Sequence, residues 1–269
     1  MYRYETHLHT CQSSRCGRST GAEHANYYKK LGYDGIVVTD HFFGGNTAAS
    51  RSGPWERRVR EFCAGYHDAK EQGDRIGLQV FFGWEETFQG DDYLVYGLDE
   101  QWLLAHPEVE GFNRRQQFDA VHAAGGCVVQ AHPFRCRDYI KKVHLALSLV
   151  DGVEVANAGN DPLFDCYARL YAREYGMLMT AGSDNHLSRE GCPVYGIGVP
   201  ERLNGIGDLV SLILERRQPT LLVDESRFHM PEDRVLPLEC ELLDTVEHAT
   251  RYHQPWLEDG PFAPWLKGE

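Results

Sequence analysis

Two histidines separated by one residue, His7 and His9, lie in the stretch Tyr4-Glu5-Thr6-His7-Leu8-His9-Thr10. Read as a strand, this stretch points both imidazoles to one face, because strand side chains alternate. At a spacing of about 6.5–7 Å along the strand, the two rings can converge on one metal ion. Such a pair is commonly incidental, so its meaning depends on the rest of the chain. Three later apolar runs also end in histidine. Gly35-Ile36-Val37-Val38-Thr39 leads into Asp40-His41, Cys127–Ala131 into His132-Pro133, and Met177–Ala181 into Gly182-Ser183-Asp184-Asn185-His186. A further run, Ile76–Phe82, leads into Gly83-Trp84-Glu85-Glu86-Thr87. Taken singly, each has a bland reading: a strand-end histidine is a hydrogen-bonded surface group, and Asp184 caps a helix. Taken together, accident would have to place ligand-type residues at the end of every one of these strands. Imidazole combined with carboxylate suits Zn, Mn or Fe rather than Ca or Mg alone.

The elements that position these groups alternate. Strands are expected over Tyr4–Thr10, Gly35–Thr39, Ile76–Phe82, Asp92–Gly97, Cys127–Ala131, Gly152–Asn157, Met177–Ala181, Tyr195–Val199 and Thr220–Val223. Helical patterns run from Gly21 to Leu31 (stopped by Gly32), from Pro54 to about Gln72, and from Asn113 to Ala124. Others cover Tyr139–Val150, Leu163–Tyr175 and Gly207–Arg217. Strands alternating with helices argue for a parallel sheet with helices outside, and polar residues gather at the carboxyl ends of the strands, where such folds build their sites. The Pro-rich remainder from 226 to 269, with Pro231, Pro237, Pro255, Pro261 and Pro264, reads as an extension packed on the outside of a barrel spanning residues 1–225.

The 269 residues carry 27 basic and 40 acidic side chains, a net charge of −13. That balance argues against a groove tracking long nucleic acid, and leaves open a small phosphorylated substrate whose charge bound cations would offset. No apolar run approaches the length of a transmembrane helix. The eight cysteines form no C-x-x-C pair, and the start Met1-Tyr2-Arg3-Tyr4-Glu5 runs straight into a strand, so a reduced, cytoplasmic chain is expected. Cys11 and Cys16 follow the first motif as loop residues, with a thiolate ligand as the alternative. No Gly-rich phosphate loop or nucleophile elbow is present.

The ordered set His7-Leu8-His9, Thr39-Asp40-His41, Gly83-Trp84-Glu85, Ala131-His132-Pro133 and Ser183-Asp184-Asn185-His186 resembles the PHP (polymerase and histidinol phosphatase) family of metal-dependent phosphoesterases. The resemblance covers residues 4 to 225. It implies a distorted (β/α)7 barrel with up to three divalent metals at the carboxyl ends of the strands. By matching motif, His7, His9, Glu85 and Asp184 would hold the first metal. Glu85 would bridge to a second, which His132 also binds, and His41 and His186 would serve a third metal or the phosphate. Two positions depart from the family pattern. The Asp or His usual beyond H-x-H is replaced by Ser13-Ser14-Arg15-Cys16, and the His usual after the Glu by Asp91-Asp92-Tyr93-Leu94. Asp92 is a candidate oxygen ligand in its place.

Such a site implies hydrolysis of a small phosphomonoester or phosphodiester, a nucleotide or a histidinol-phosphate-like compound among them, by metal-activated water. Asp184, His41 and His186 would carry the catalysis, with His186 or His41 protonating the leaving alkoxide. Arg135, and Arg15 or Arg18 in the first loop, would clamp the phosphate. Asn157, ending its strand, is a candidate to face the site or to make a structural hydrogen bond. His24, His67, His106, His122 and His144 are not expected as ligands. Two rival readings remain: a non-phosphate metallohydrolase, and a metal-binding regulatory module weakened in catalysis.

Overall fold

A computed structural model describes residues 1–229, apart from Tyr139 and Lys141, together with strands at Glu239–Leu243 and Ala249–His253. The prolines from Pro231 onward lie outside the described residues. The elements run β1 (Tyr2–Glu5), α1 (Gly21–Lys30), β2 (Gly35–Val38), α2 (Trp55–Phe62), α3 (Ala64–Ile76), β3 (Gln79–Phe88), β4 (Asp91–Tyr96), α4 (Glu100–Ala105) and α5 (Arg114–Ala123). They continue with β5 (Cys127–Gln130), β6 (Lys142–Leu145), β7 (Gly152–Asn157), α6 (Pro162–Glu174), β8 (Leu178–Gly182), β9 (Ile197–Val199), α7 (Ile206–Leu214), β10 (Thr220–Leu221), β11 (Glu239–Leu243) and β12 (Ala249–His253).

The main sheet has the order β10-β9-β1-β2-β3-β4-β5-β7-β8. It curls into a nearly closed barrel. At the carboxyl end the ring is completed where the chain beyond β1 meets the chain beyond β8: Leu8 bridges Asn185 in parallel, His9 N donates to Asn185 O at 2.9 Å, and Asn185 N to His7 O at 3.3 Å. At the other end β9 wedges in antiparallel to β1, and the Gln218 side chain caps the free edge of β8 through both backbone groups of Met179. The strand thus stops at Glu5, short of the expected Thr10, yet the histidines stay in an extended, paired segment.

Besides β9, β4 runs against the rest of the main sheet. β3 turns through Gln89 and Gly90, both at positive φ, into antiparallel β4. Two such residues make the tight hairpin turn that matches strand twist. The reversal brings the start of β4, with Asp91 and Asp92, to the same end of the barrel as the ends of β2, β3 and β5. The strands are buried on both faces, as a helix-covered barrel requires. Val37, Leu94, Tyr96, Val129, Ile197 and Ile213 pack in one cluster, and α1 and α3 cover β2 and β3 with Ala25, Tyr28, Ile36, Val38 and Ala69. Each fully buried aliphatic of this kind contributes roughly 1.5–3 kcal/mol.

Two expectations are corrected. The single helix expected from Pro54 to Gln72 is two, α2 and α3, broken at Cys63, and the break lets Gly65 N reach Ser13 Oγ at 3.1 Å in the first loop. The helix expected over Tyr139–Val150 contains a strand instead. In β6, Val143 and Leu145 are buried at strand spacing and pair in parallel with Cys240 and Leu242 of β11, while His144 turns to Asp91 on the barrel. A partner about a hundred residues away overrides the local pattern. Through this β12-β11-β6 sheet the described part of the C-terminal segment lies against the barrel. Among the described residues, no helix is long and apolar enough to cross a membrane.

Candidate metal centre

His7 and His9 point to the same side, as their spacing requires, with Nε2 atoms 3.1 Å apart. Each ring is held from behind through Nδ1. His7 Nδ1 donates to Glu154 Oε1 at 3.0 Å. His9 Nδ1 lies 3.3 Å from Ser14 Oγ, which itself donates to Asp40 Oδ1 at 2.6 Å. His186 Nδ1 donates to the Asp184 carbonyl at 2.7 Å. These partners leave Nε2 of all three rings as the free electron-pair donor, the arrangement by which protein histidines are oriented toward a metal.

Glu85, 1% exposed, stands at the centre. Its Oε1 is 3.1 Å from both His7 Nε2 and His132 Nε2. Its Oε2 is 2.7 Å from His41 Nδ1 and 3.5 Å from His9 Nε2. The His41 contact lacks hydrogen-bond alignment, so among the described residues both buried atoms are without a hydrogen-bond partner. Asp184 Oδ1 lies 3.0 Å from His9 Nε2 and 3.6 Å from His7 Nε2. Among the described residues, three sets of donor atoms lie mutually within 4.8 Å: His7, Glu85 and His132; His7, His9 and Asp184; His9, His41 and His186. Ring nitrogens aimed at one another, with an orphaned carboxylate oxygen among them, fit divalent cations of the imidazole-and-carboxylate class.

The electrostatics agree with that fit. Burial alone would raise the Asp184 and Glu85 carboxyls. Arg135 and His7 hold Asp184 well below the usual range, and His41 and His7 do the same for Glu85. Burial, reinforced by His41, pushes His9 well down. Burial also raises Asp92 to about 6, with the neighbouring Glu85 charge adding to it. The cluster is a set of acceptors that calls for positive charge at its centre.

The structure brings together His7, His9, His41, Glu85, His132, Asp184 and His186. Asp92 joins them through the β3–β4 reversal: its Oδ2 is 3.8 Å from His132 Nε2, while Oδ1 accepts from Thr87 Oγ1 at 2.5 Å. Asp40 turns away, accepting from Thr10 N and Thr10 Oγ1, each at 2.7 Å, and from Ser14, so it secures the loop behind His9. Glu86 likewise accepts from Gln117 and Gly44 N. Asn157 makes the structural bond, holding Glu154 and Arg135. His24 is buried behind His9, donating Nε2–H to its carbonyl. His132 and Asp184 both sit at positive φ, 25° and 52°, outside a glycine's habit. Such backbone costs on the order of 1–3 kcal/mol and persists where the surroundings enforce it.

Above the cluster lies a cavity of about 600 Å³ whose wall includes Glu85, Asp184, His41, His186, Arg135 and Arg137. Arg135 reaches it as expected. Its Nη1 is 2.7 Å from Asp184 Oδ2, Nε donates to Asn160 Oδ1 at 2.7 Å and Nη2 to Asn157 Oδ1 at 2.9 Å. Three of the five guanidinium protons are thereby used, leaving one on each terminal nitrogen. Arg15 does not reach the cavity, and the expectation of a phosphate contact there is corrected. It is exposed and donates Nε–H to the Thr47 carbonyl at 2.9 Å. Arg18 is exposed and absent from the wall. Arg137 takes that place and was missed, although its position two residues beyond Arg135 was the available signal.

No protein-family model matches the chain, and no curated protein matches it in sequence. Solved structures do match. One is a two-domain protein from Bacteroides vulgatus containing a predicted PHP-like metal-dependent phosphoesterase, with TM-score 0.56, 17% identity and 81% of this chain covered. This chain spans 63% of that protein's length. Another is PsfC from Pseudomonas syringae, with TM-score 0.55 and 18% identity, covering 86% of this chain and 95% of that one. An amidohydrolase from Chromobacterium violaceum matches at TM-score 0.48 and 16% identity, covering 83% of this chain and 99% of that one. At such identities the likeness is one of fold, and the chain has the PHP-like barrel fold that its ordered motifs led one to expect.

Proposed function

We propose that this chain is a metal-dependent phosphoesterase acting on a small phosphorylated substrate. The observation that carries the reading is Arg135: a guanidinium fixed by three partners, with two N–H groups left, on the wall of the cavity directly beside the carboxylate–histidine cluster. A paired N–H fork next to a cation centre matches the tetrahedral oxygens of a phosphoryl group. Arg137, exposed on the same wall, adds charge at the mouth.

Divalent cations of the Zn, Mn or Fe class would be held by His7, His9, Glu85, His132 and Asp184, with His41 and His186 serving a further one, and would supply Lewis acidity that lowers the pKa of water and offsets phosphoryl charge. The chain's own residues do the rest. Glu154 and Ser14 fix the His7 and His9 tautomers. Arg135, held by Asp184, Asn157 and Asn160 together, orients the phosphoryl group. His41 and His186, both partly exposed on the cavity wall, can give a proton to the leaving alkoxide or serve as ligands, two roles that exclude each other at any one nitrogen.

The test is a panel of phosphomonoesters and phosphodiesters assayed with and without added Mn, on wild type and on Glu85→Gln and Asp184→Asn. Phosphoester hydrolysis lost in both variants is expected. Hydrolysis of amide substrates alone would favour the non-phosphate reading, and metal binding with no hydrolysis would favour the regulatory module.

A further inference from the structure

The loop after the first motif places a thiol against the third donor set. Cys16 Sγ is 3.2 Å from His186 Nε2, the nitrogen left free because Nδ1 is committed to the Asp184 carbonyl. Among the described residues, the buried Glu85 Oε2 has no hydrogen bond and lies 2.7 Å from His41 Nδ1. An orphaned buried carboxylate oxygen costs on the order of 1–3 kcal/mol or more unless a cation or proton meets it. The loop is held in place rather than draped there. Gly17 N donates to Ser14 O at 3.0 Å, closing a turn around Cys16, and Arg18 N donates to the His186 carbonyl at 2.8 Å. A Cβ at Gly17 would meet Thr10 O at 2.3 Å, so the turn is pressed against the backbone that carries His9.

We propose that Cys16 is a thiolate ligand to the cation held by His9, His41 and His186, and that its sulfur selects zinc over manganese at that position. The inference rests on the metal-centre reading above. Soft sulfur favours zinc, whereas manganese prefers oxygen donors. On binding, the thiol proton leaves to solvent and the Sγ lone pair takes its place on the cation. His41 and His186 then act as ligands and not as the leaving-group acid.

The test uses the full chain loaded with cobalt(II), whose bond to thiolate gives an intense near-ultraviolet charge-transfer absorption. Wild type, Cys16→Ser, Cys16→Asp and Cys11→Ser are compared, with cobalt per chain measured by elemental analysis. Expected is absorption in wild type and Cys11→Ser, its loss in both Cys16 variants, and at least a tenfold fall in zinc-over-manganese preference in Cys16→Asp. Cys16→Asp keeps an anionic ligand, so its cobalt uptake separates a lost thiolate from a lost fold. Cobalt bound to wild type without this absorption, or absorption that persists in the Cys16 variants, overturns the inference while leaving the metal centre standing. Wild type that takes up no cobalt overturns both.

Discussion

The Glu154 carboxylate lies 3.0 Å from His7 Nδ1, on the far side of the imidazole from the cluster, and every other group it meets is also a donor: His132 N at 3.1 Å and Asn157 Nδ2 at 2.9 Å. One buried carboxylate thus sets the tautomer of His7 and anchors the backbone of His132. An amide in its place must aim an N–H at one of these donors. Glu154→Gln is therefore expected to weaken metal binding about 10- to 100-fold, the usual effect of losing such an outer partner. Chelator competition measures it, and an unchanged dissociation constant would show that His7 needs no such support.

Arg135 is tied to Asp184, Asn157 and Asn160 at once. A lysine ammonium cannot span all three, so Arg135→Lys should behave more like Arg135→Ala than like wild type. Loss of a charge-assisted contact of roughly 1.5–3 kcal/mol predicts a fall of about 10- to 150-fold in kcat/KM for phosphoesters. Steady-state kinetics on the best substrate of the panel decides it. Full activity in Arg135→Lys would place phosphate recognition elsewhere, with Arg137 the next residue to test.

Gly182 ends β8 in contact with the site from below. A Cβ there would meet Glu154 Oε1 at 2.5 Å and His7 Cβ at 2.6 Å. Gly182→Ala should cost roughly 1–3 kcal/mol through overpacking and loosen metal binding along with it, because the atoms it displaces orient His7. Urea unfolding together with a metal titration tests this. Normal values for both would mean that the strand shifts freely, contrary to the packing described.

Asp165 is buried on α6, accepting from Arg227 Nε at 2.7 Å and Asn160 Nδ2 at 3.0 Å. Burial outweighs these partners and raises its carboxyl from 3.8 to about 6. A folded-state value above the unfolded one means that the contribution to stability is fully present below about pH 4 and is lost as pH rises through 6. The shift corresponds to roughly 3 kcal/mol across that window. Asp165→Asn does not titrate, so the stability difference between wild type and variant should move by up to that amount between pH 4 and pH 7. Parallel stability curves for the two proteins would show that Arg227 neutralises the burial.

What was legible in the sequence followed from local chemistry. Strand-end His41, Glu85, His132 and Asp184 announce themselves because apolar runs stop at them, and a barrel turns those ends toward one point. The β3–β4 reversal was not legible as such. Asp92 could be suspected as a ligand, but only the antiparallel pairing of Phe88 with Asp91 carries it to the carboxyl-end rim. The strand at Lys142–Leu145 is not legible from the local pattern because its partner, β11, lies about a hundred residues onward. Arg15 and Arg137 show the same limit for side chains. Both are exposed loop arginines near motifs, and only the fold turns one to the Thr47 carbonyl and the other to the cavity.

The most direct measurement is metal content by elemental analysis of the purified native chain, beside Glu85→Gln. Glu85 touches His7, His9, His41 and His132, so each of the three donor sets includes a histidine that it holds. The account predicts more than one metal per chain in wild type and a loss of at least one in the variant, with the fold retained by circular dichroism. A wild-type chain without metal, even after incubation with Zn and Mn, would contradict it.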